Sequence, residues 1–194
     1  MQLDFLINIL LKDKPSQYIK NNEKQIFDLI PELSMCKNFN QNNIWHIYDV
    51  YDHILNVIDG VPNNIIIRIA ALFHDIGKPL VYTEDEMGIG HFYNHWNKSN
   101  EIFLSFAKKN NLNNININKI SNLIIYHDLN VSKLSDEDLK KILIAFNEDD
   151  IINLFQLKKS DLLAQNNKFH YLLSEYEKQE KRLLDLKSKE YFDK

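Results

Sequence analysis

The chain has 194 residues, a formal net charge of −4 and only four glycines, at positions 60, 77, 88 and 90. These positions cannot form a G-x-x-x-x-G-K-[ST] or G-x-G-x-x-G phosphate loop, which excludes P-loop and Rossmann dinucleotide-binding enzymes. The chain also lacks the overall basic excess that non-specific nucleic-acid binding requires.

Hydrophobic periodicity predicts helix along most of the chain. Short amphipathic stretches stop near Pro15 and Pro31, and a helix over about 46–59 ends at Gly60. The next predicted helix runs from Asn64 to about Ile76 and stops at Gly77. Residues 78–94 break the periodicity and predict a loop with a short hairpin. Helices resume at about 95–110, 117–128, 136–146, 148–166 and 168–188.

These patterns predict an all-α fold, in which residues 1–40 form an N-terminal helical extension packed on a domain of residues 41–194. The single Cys36 excludes an internal disulfide and fits a reducing compartment. The first residues lack a basic leader, and no stretch approaches the roughly 20 apolar residues of a membrane span. We therefore expect a cytoplasmic protein without membrane contact. No apolar stripe indicates a dimer face, so monomer and dimer both remain open.

One apolar segment carries an imidazole and a carboxylate at its end. Residues 65–73 are apolar except for Arg68, which predicts a buried helix, and His74 and Asp75 follow in its last turn. Burying a carboxylate costs several kcal/mol unless it is paired or bound to a metal. A hydrogen-bonded pair at a helix end is the alternative for this dipeptide taken alone.

Further histidines and acidic residues lie in or beside apolar stripes. Asp49 and His53 are four residues apart, which places them on one face of the predicted helix. His91, His95, His127 and Asp161 follow later in the chain. Imidazole and carboxylate together suit Zn, Fe, Mn, Ni or Co. For each residue alone, a hydrogen-bonded polar side chain in the core or on the surface is the alternative.

The ordered set His53, His74-Asp75, Asp161 resembles the H…HD…D signature of the HD-domain metal-dependent phosphohydrolases. Over about residues 25–166 the motifs are similar to the HD region of bacterial tRNA nucleotidyltransferases, the CCA-adding enzymes. The segments that carry this similarity are Pro31-Glu32-Leu33, Asn40-Gln41-Asn42, His46-Ile47-Tyr48-Asp49-Val50, His74-Asp75-Ile76-Gly77-Lys78-Pro79, His91-Phe92-Tyr93-Asn94-His95 and Tyr126-His127.

The chain also departs from those enzymes. The signatures of their nucleotidyltransferase head do not occur in these residues, so nucleotide addition is not expected. Their Gly-His-Glu reads Asn94-His95-Trp96 here, which removes a carboxylate beside His95.

The resemblance implies an HD phosphohydrolase domain over 41–194 and one or two divalent ions, from among Fe, Mn, Ni, Co and Zn, or Mg. One ion is held by His53, His74, Asp75 and Asp161, and His95 and His127 match the histidines of relatives that bind a second ion, with Asp75 as a bridge. Asp75, Lys78 and His127 are the predicted catalytic residues. Lys78, His46 and His91 are the predicted substrate-binding residues.

Several of these roles have alternatives. Lys78 is expected to reach a phosphate oxygen, or else to complement the helix dipole as a C-terminal cation. His46 and His91 line the substrate mouth or protonate the leaving oxygen, or they are simply exposed polar residues. Asp49 is expected to orient His53 rather than to bind metal.

The expected activity is hydrolysis of a phosphomonoester or phosphodiester by a metal-activated hydroxide. The partner is a phosphorylated small molecule, a nucleotide or an RNA end, and the resemblance implies a 2′,3′-cyclic phosphate as the specific form. Only two of the 23 basic residues are arginine, which disfavours triphosphate substrates. The alternative is a non-catalytic nucleotide- or tRNA-binding module with a structural metal site.

Overall fold

The structure is a computed structural model that describes residues 2–112 and 115–192, except for the side chains of 190–192. Its α-helices, in chain order, are α1 (Gln2–Leu10), α2 (Pro15–Asn21), α3 (Glu23–Leu29), α4 (Pro31–Cys36), α5 (Val50–Gly60), α6 (Ile65–Phe73), α7 (Lys78–Val81), α8 (His95–Lys109), α9 (Ile117–Tyr126), α10 (Asp136–Leu143), α11 (Glu148–Leu163) and α12 (Leu173–Phe192). Two short strands, β1 (Thr83–Glu84) and β2 (Gly90–His91), form an antiparallel hairpin, and 3₁₀ turns occupy Val131–Lys133 and Asn167–Leu172. The prediction of an all-α fold is confirmed.

Side-chain caps fix where several helices begin. The Asn64 side chain accepts from the Ile66 amide at the start of α6, and Asn116 caps α9 in the same way. Asn147 and Asp150 form a reciprocal capping box at the start of α11. These residues satisfy amide groups that the first helical turn leaves without a partner.

Several predicted boundaries differ from the structure. The helix predicted to about Ile76 ends at Phe73, and the one predicted from 168 begins as a 3₁₀ turn before α12 starts at Leu173. The helix expected from residue 46 begins at Val50, because the Asp49 side chain caps it by accepting from the Asp52 amide at 2.6 Å. The stretch 78–94 contains the predicted hairpin but also the short helix α7, which Pro79 in its first turn helps to start.

Helix α6 lies at the centre of the core. Residues 67–73 are all buried, and α6 packs against α5, α8, α9 and α11. Its one charged residue, Arg68, donates to main-chain carbonyls of Leu10, Lys12 and Pro62. A buried guanidinium therefore completes the carboxyl end of α1 rather than remaining unpaired.

The N-terminal helices contact the rest of the chain directly. Helix α1 packs against α6, and α2 packs against α5. Ser16 in α2 donates to the Asp59 carboxylate of α5 through both its amide and its hydroxyl. The division of the chain at residue 40 stays a prediction. Among the described residues, no helix combines the length and apolar character needed to cross a membrane.

Candidate metal centre

Six predicted ligands converge from five separate segments of the fold. His53 lies within α5, His74 and Asp75 directly follow α6, His95 begins α8, His127 directly follows α9 and Asp161 lies near the end of α11. All are buried except Asp161, which is partly buried. Four of the six therefore sit at helix ends, where the chain changes direction and can aim a side chain at a common point.

The first ligand set is His53, His74, Asp75 and Asp161, whose donor atoms all lie within 4.8 Å of one another. His53 Nε2 is 3.2 Å from Asp75 Oδ2 and 2.9 Å from Asp161 Oδ1. His74 Nε2 is 3.4 Å from the same Asp75 oxygen. Donors bound about 2.1 Å from one ion are separated from each other by about 3.0–3.4 Å, so these spacings suit a shared metal.

The second set is Asp75, His95 and His127. The other carboxylate oxygen, Asp75 Oδ1, lies 3.2 Å from His95 Nε2 and 3.7 Å from His127 Nε2. The two imidazole nitrogens are 3.2 Å apart. Asp75 thus presents one oxygen to each set, which is the arrangement that a bridging carboxylate requires.

Four of the atoms that would bind metal lack hydrogen bonds of acceptable geometry. His53 Nε2, His74 Nε2 and both Asp75 oxygens are buried without a hydrogen bond of acceptable geometry. Buried polar atoms are normally satisfied, so a converging group of unsatisfied donors calls for an explanation. A mixed nitrogen and oxygen donor set around a divalent transition metal supplies one, and the residues therefore fit such an ion.

The second nitrogen of each imidazole faces a main-chain carbonyl. His74 Nδ1 lies 2.8 Å from the Ala71 oxygen, His127 Nδ1 lies 2.7 Å from the Ile124 oxygen, and His95 Nδ1 lies 2.9 Å from the Phe92 oxygen. His53 Nδ1 is 3.4 Å from the Ala164 oxygen. A proton on Nδ1 that is donated to a carbonyl leaves the Nε2 lone pair free, which is the usual support of a metal-binding histidine.

Both carboxylates remain ionised in this pocket. Burial acts to raise the pKa of Asp75, but the Lys78 ammonium and the His74 ring hold it well below its ordinary value. For Asp161, burial is likewise outweighed by the close His53 ring, and its pKa is lowered. Burial lowers the pKa of His53, yet the close carboxylates of Asp161 and Asp75 raise it to about 9. The pocket therefore attracts positive charge, either a proton or a metal ion.

Lys78 points into the centre rather than standing at its edge. Its ammonium lies 2.6 Å from Asp75 Oδ2 and donates to Gln41 Oε1 at 2.9 Å. It begins α7, and its ammonium is directed at the Asp75 carboxylate. Gln41, only 1% exposed, is a contact that the sequence analysis did not single out.

The other two predicted substrate-binding histidines differ in their surroundings. His46 Nε2 lies 3.4 Å from the Lys78 ammonium. Burial, as the larger cause, and the Lys78 charge, as the second cause, lower the pKa of His46 to about 2. The ring is therefore neutral near pH 7, with a single N–H proton. His91 is half-buried and faces the Asp85 carboxylate, 3.0 Å from its Nε2.

Asp49 does not orient His53, contrary to expectation. Its carboxylate is used by the amides of Asn38 and Asp52. The reason is that α5 starts only at residue 50, so Asp49 caps the helix instead of lying one turn before His53 on its surface.

Close packing holds the ligand-bearing segments together. A side chain at Gly77 would collide with the Ser99 amide (2.6 Å) and the His95 carbonyl (2.9 Å), so glycine allows the turn after α6 to lie on α8. Its φ of −80° shows that it does not act as a left-handed helix stop. The buried Lys158 of α11 donates to the carbonyls of His127 and Leu129 at 2.7 and 2.8 Å.

A cavity of about 560 Å³ opens over the centre, within the range of small-molecule sites. Asp75, His95, His127 and Asp161 reach it, and Lys78, His46 and His91 also line it. Its wall is rich in aromatic rings, contributed by Trp45, Phe92, Tyr93, Trp96 and Tyr176. All nine predicted site residues therefore lie in or directly against one region of the molecule.

Comparison with known proteins agrees with this geometry. The HD domain matches residues 44–186, well over half of the chain. No curated protein matches the chain in a sequence comparison. The matched range contains both ligand sets. The extent of the match, together with the clustered histidines and aspartates, shows that the chain belongs to the HD domain family.

Proposed function

We infer that the protein is a metal-dependent phosphohydrolase that acts on a phosphomonoester or phosphodiester of a nucleotide or an RNA end. The observation that carries this inference is the pair of ligand sets joined through the two oxygens of Asp75, at the base of an open cavity. HD domains are in general metal-dependent phosphohydrolases, which supports the reaction class. The motif resemblance to the CCA-adding enzymes favours a 2′,3′-cyclic phosphate among possible diesters.

The predicted ligands form two groups, one for each ion. Those that would hold metal are His53, His74, Asp75 and Asp161 for one ion and Asp75, His95 and His127 for the other. A divalent ion in such a site acts as a Lewis acid and makes water a nucleophile at neutral pH.

Lys78 places a positive charge beside the metal ligands, where a substrate phosphate oxygen can reach it. Its ammonium is paired with Asp75, and Gln41 and His46 are its uncharged neighbours. A cationic donor in this position suits a phosphate oxygen. Phe92, whose ring lies 5.3 Å from the ammonium, shields that side from water.

The test is a substrate panel run on protein whose metal content has been measured by mass spectrometry. The panel holds a nucleoside 2′,3′-cyclic phosphate, a nucleoside monophosphate and bis(4-nitrophenyl) phosphate. Asp75→Asn is expected to abolish turnover, whereas Asp149→Asn, an exposed aspartate on α11, leaves it unchanged. Equal turnover in wild type and Asp75→Asn would refute the proposal.

The panel also separates the alternative function. Protein that contains no metal, binds tRNA and hydrolyses none of the compounds would favour the non-catalytic binding module.

A further inference from the structure

A second cavity adjoins the one over the metal centre. It has a volume of about 610 Å³, and we call it the side groove. Five of its lining residues do not line the cavity over the metal centre, namely Asn40, Asn42, Asn43, Ile44 and Ile89. Trp45, Gly90 and His91 line both cavities. A molecule bound at the metal centre can therefore extend past these three residues into the side groove.

The side groove is built rigidly. Gly90 donates its amide to the Asn42 carbonyl at 2.9 Å, and a side chain at Gly90 would collide with the Tyr82 ring. Asn42 takes a left-handed backbone conformation (φ 53°), and its amide group donates to Glu84 and to the Gly88 carbonyl. The hairpin and the 40–43 loop are thus fixed against each other before any ligand binds.

Trp45, between the two cavities, is also held in place. Its indole stacks on Phe169 with the ring centres 3.8 Å apart, and its carbonyl accepts from the Asn166 amide at 2.8 Å. The side chain is nevertheless 41% exposed. A fixed, exposed aromatic ring is the kind of surface on which a nucleobase stacks.

The residues that line only the side groove are uncharged, and two exposed isoleucines supply its apolar surface. Ile44 is 70% exposed and Ile89 is 38% exposed. The Asn43 side chain is used within the loop, where it donates to the Gln41 carbonyl and accepts from the Trp45 amide. With the Asn42 and Asn43 side chains used within the loop and hairpin, the groove offers mainly apolar contact, which suits a planar base of any identity.

We propose that the side groove binds the second nucleoside of a phosphodiester whose phosphate lies at the metal centre, so that the substrate spans two nucleosides. This inference rests on the proposed function, since the phosphate must bind at that centre, and it takes an open diester between two nucleosides in place of the 2′,3′-cyclic phosphate that the resemblance favours. In the reaction, the oxygen of water bonds to phosphorus and the ester P–O bond to one nucleoside breaks. The leaving oxygen takes a proton from the water, which yields a nucleotide and a nucleoside.

Acidic residues limit the length of this substrate. Glu84 contacts Asn42 and Asp85 contacts His91, so carboxylates stand beside two of the residues that line the side groove. A hydrogen bond with His91 lowers the pKa of Asp85, which keeps that carboxylate charged. A further phosphate beyond the second nucleoside would approach this negative charge. The substrate is therefore a dinucleotide rather than a long strand.

The test compares two substrates that share one phosphodiester. One is a dinucleoside monophosphate, and the other is the matching nucleotide methyl ester, in which a methyl group replaces the second nucleoside. Wild type is expected to give a kcat/KM about tenfold higher or more for the dinucleoside monophosphate, from stacking of the added base. The double variant Ile44→Ala/Ile89→Ala is expected to lose about tenfold on that substrate and nothing on the methyl ester.

A matched control is a double variant at two exposed isoleucines that lie outside both cavities. Ile144 and Ile152 are 80% and 38% exposed, close to the values of the two groove isoleucines, and neither lines the two cavities. Ile144→Ala/Ile152→Ala is expected to behave as wild type on both substrates.

A binding measurement makes the inference independent of turnover. Both tryptophans of the sequence, Trp45 and Trp96, line the cavity over the metal centre, so intrinsic fluorescence reports on occupancy there. The probe is a phosphonate dinucleotide in which a methylene group replaces the ester oxygen that would leave. Its affinity is expected to fall about tenfold in Ile44→Ala/Ile89→Ala.

The outcomes separate the two proposals. Equal turnover of both substrates, unaffected by the groove variant, overturns the side-groove subsite and leaves the phosphohydrolase standing. Binding of the phosphonate that depends on the groove isoleucines, without hydrolysis of either substrate or of any compound in the panel above, overturns the phosphohydrolase and supports the subsite. No binding of the phosphonate and no hydrolysis of any of these compounds overturns both. Faster hydrolysis of longer oligonucleotides than of the dinucleotide overturns the proposed limit on length.

Discussion

Replacing Asp75 with asparagine is the sharpest single change that the structure offers. The substitution keeps the shape of the side chain but removes the charge that both ligand sets share. Because one carboxylate oxygen faces each set, we expect Asp75→Asn to weaken binding of both ions together. Metal-dependent stability should therefore disappear along with metal content.

The size of the effect follows from mass action. A ligand that binds only the folded protein at one hundred times its Kd adds about 2.7 kcal/mol to the free energy of unfolding. In a chain of this length each kcal/mol corresponds to about 2–4 °C in Tm. Wild-type protein stripped with a chelator should thus gain about 5–11 °C on addition of its preferred ion.

The assay is thermal unfolding of stripped protein with Mn²⁺, Fe²⁺, Co²⁺, Ni²⁺, Zn²⁺ or Mg²⁺ added in turn. The rise in Tm is measured within each variant, because Asp75→Asn also removes the partner of the buried Lys78 and changes the metal-free Tm. Asp149→Asn should show the full wild-type rise. The reasoning is refuted if no ion stabilises wild type, or if Asp75→Asn gains as much as wild type.

Three further predictions concern other parts of the molecule. His127→Gln should lower the bound metal by one ion per chain, measured by mass spectrometry, because His127 belongs only to the second set; unchanged content would contradict this. Lys158→Met should lower the free energy of unfolding in urea by about 2–4 kcal/mol, because two buried carbonyls lose their donor. Lys159→Met breaks its Glu180 ion pair and should lower it by less than about 1 kcal/mol. Equal losses in the two variants would count against the Lys158 contacts. Burial raises the pKa of the Cys36 thiol, so Cys36 should resist thiol reagents in native protein at pH 8. The stability that the buried thiol contributes should be lost as the pH rises above 9.0, the ordinary pKa of cysteine. Rapid labelling of the folded chain would refute the last prediction.

Much of the centre could be predicted because its residue types are rare in apolar segments. His74 and Asp75 end a helix that is otherwise almost entirely apolar, and His127 ends another with a strong apolar face. Imidazole and carboxylate groups in such places need a partner, and a shared metal is one that serves several of them at once. The residue types thus mark the candidates, whereas their grouping into one ligand set comes from the resemblance to the HD phosphohydrolases.

The contacts that escaped prediction depend on the tertiary fold. Gln41 and Lys78 are 37 residues apart, and no periodic pattern relates a loop amide to the first residue of α7. The predicted start of α5, at about residue 46, is wrong because Asp49 is compatible both with a position inside a helix and with a capping position. Its hydrogen bonds with the Asn38 and Asp52 amides show that it caps the helix. Gly77 looks like a helix stop in the sequence, yet its role is close packing against α8.

The ligand histidines show why this centre can be formed before metal binds. His74 and His127 each follow directly on a helix, and each has Nδ1 against the carbonyl three residues earlier, at 2.8 and 2.7 Å. The last carbonyls of a helix lack main-chain partners, so each contact completes the helix end and also fixes the ring with Nε2 directed inward. Helix formation itself therefore orients these ligands. Metal binding then has little conformational entropy left to remove, which is the physical reason for a preformed site in a fold built almost wholly from helices.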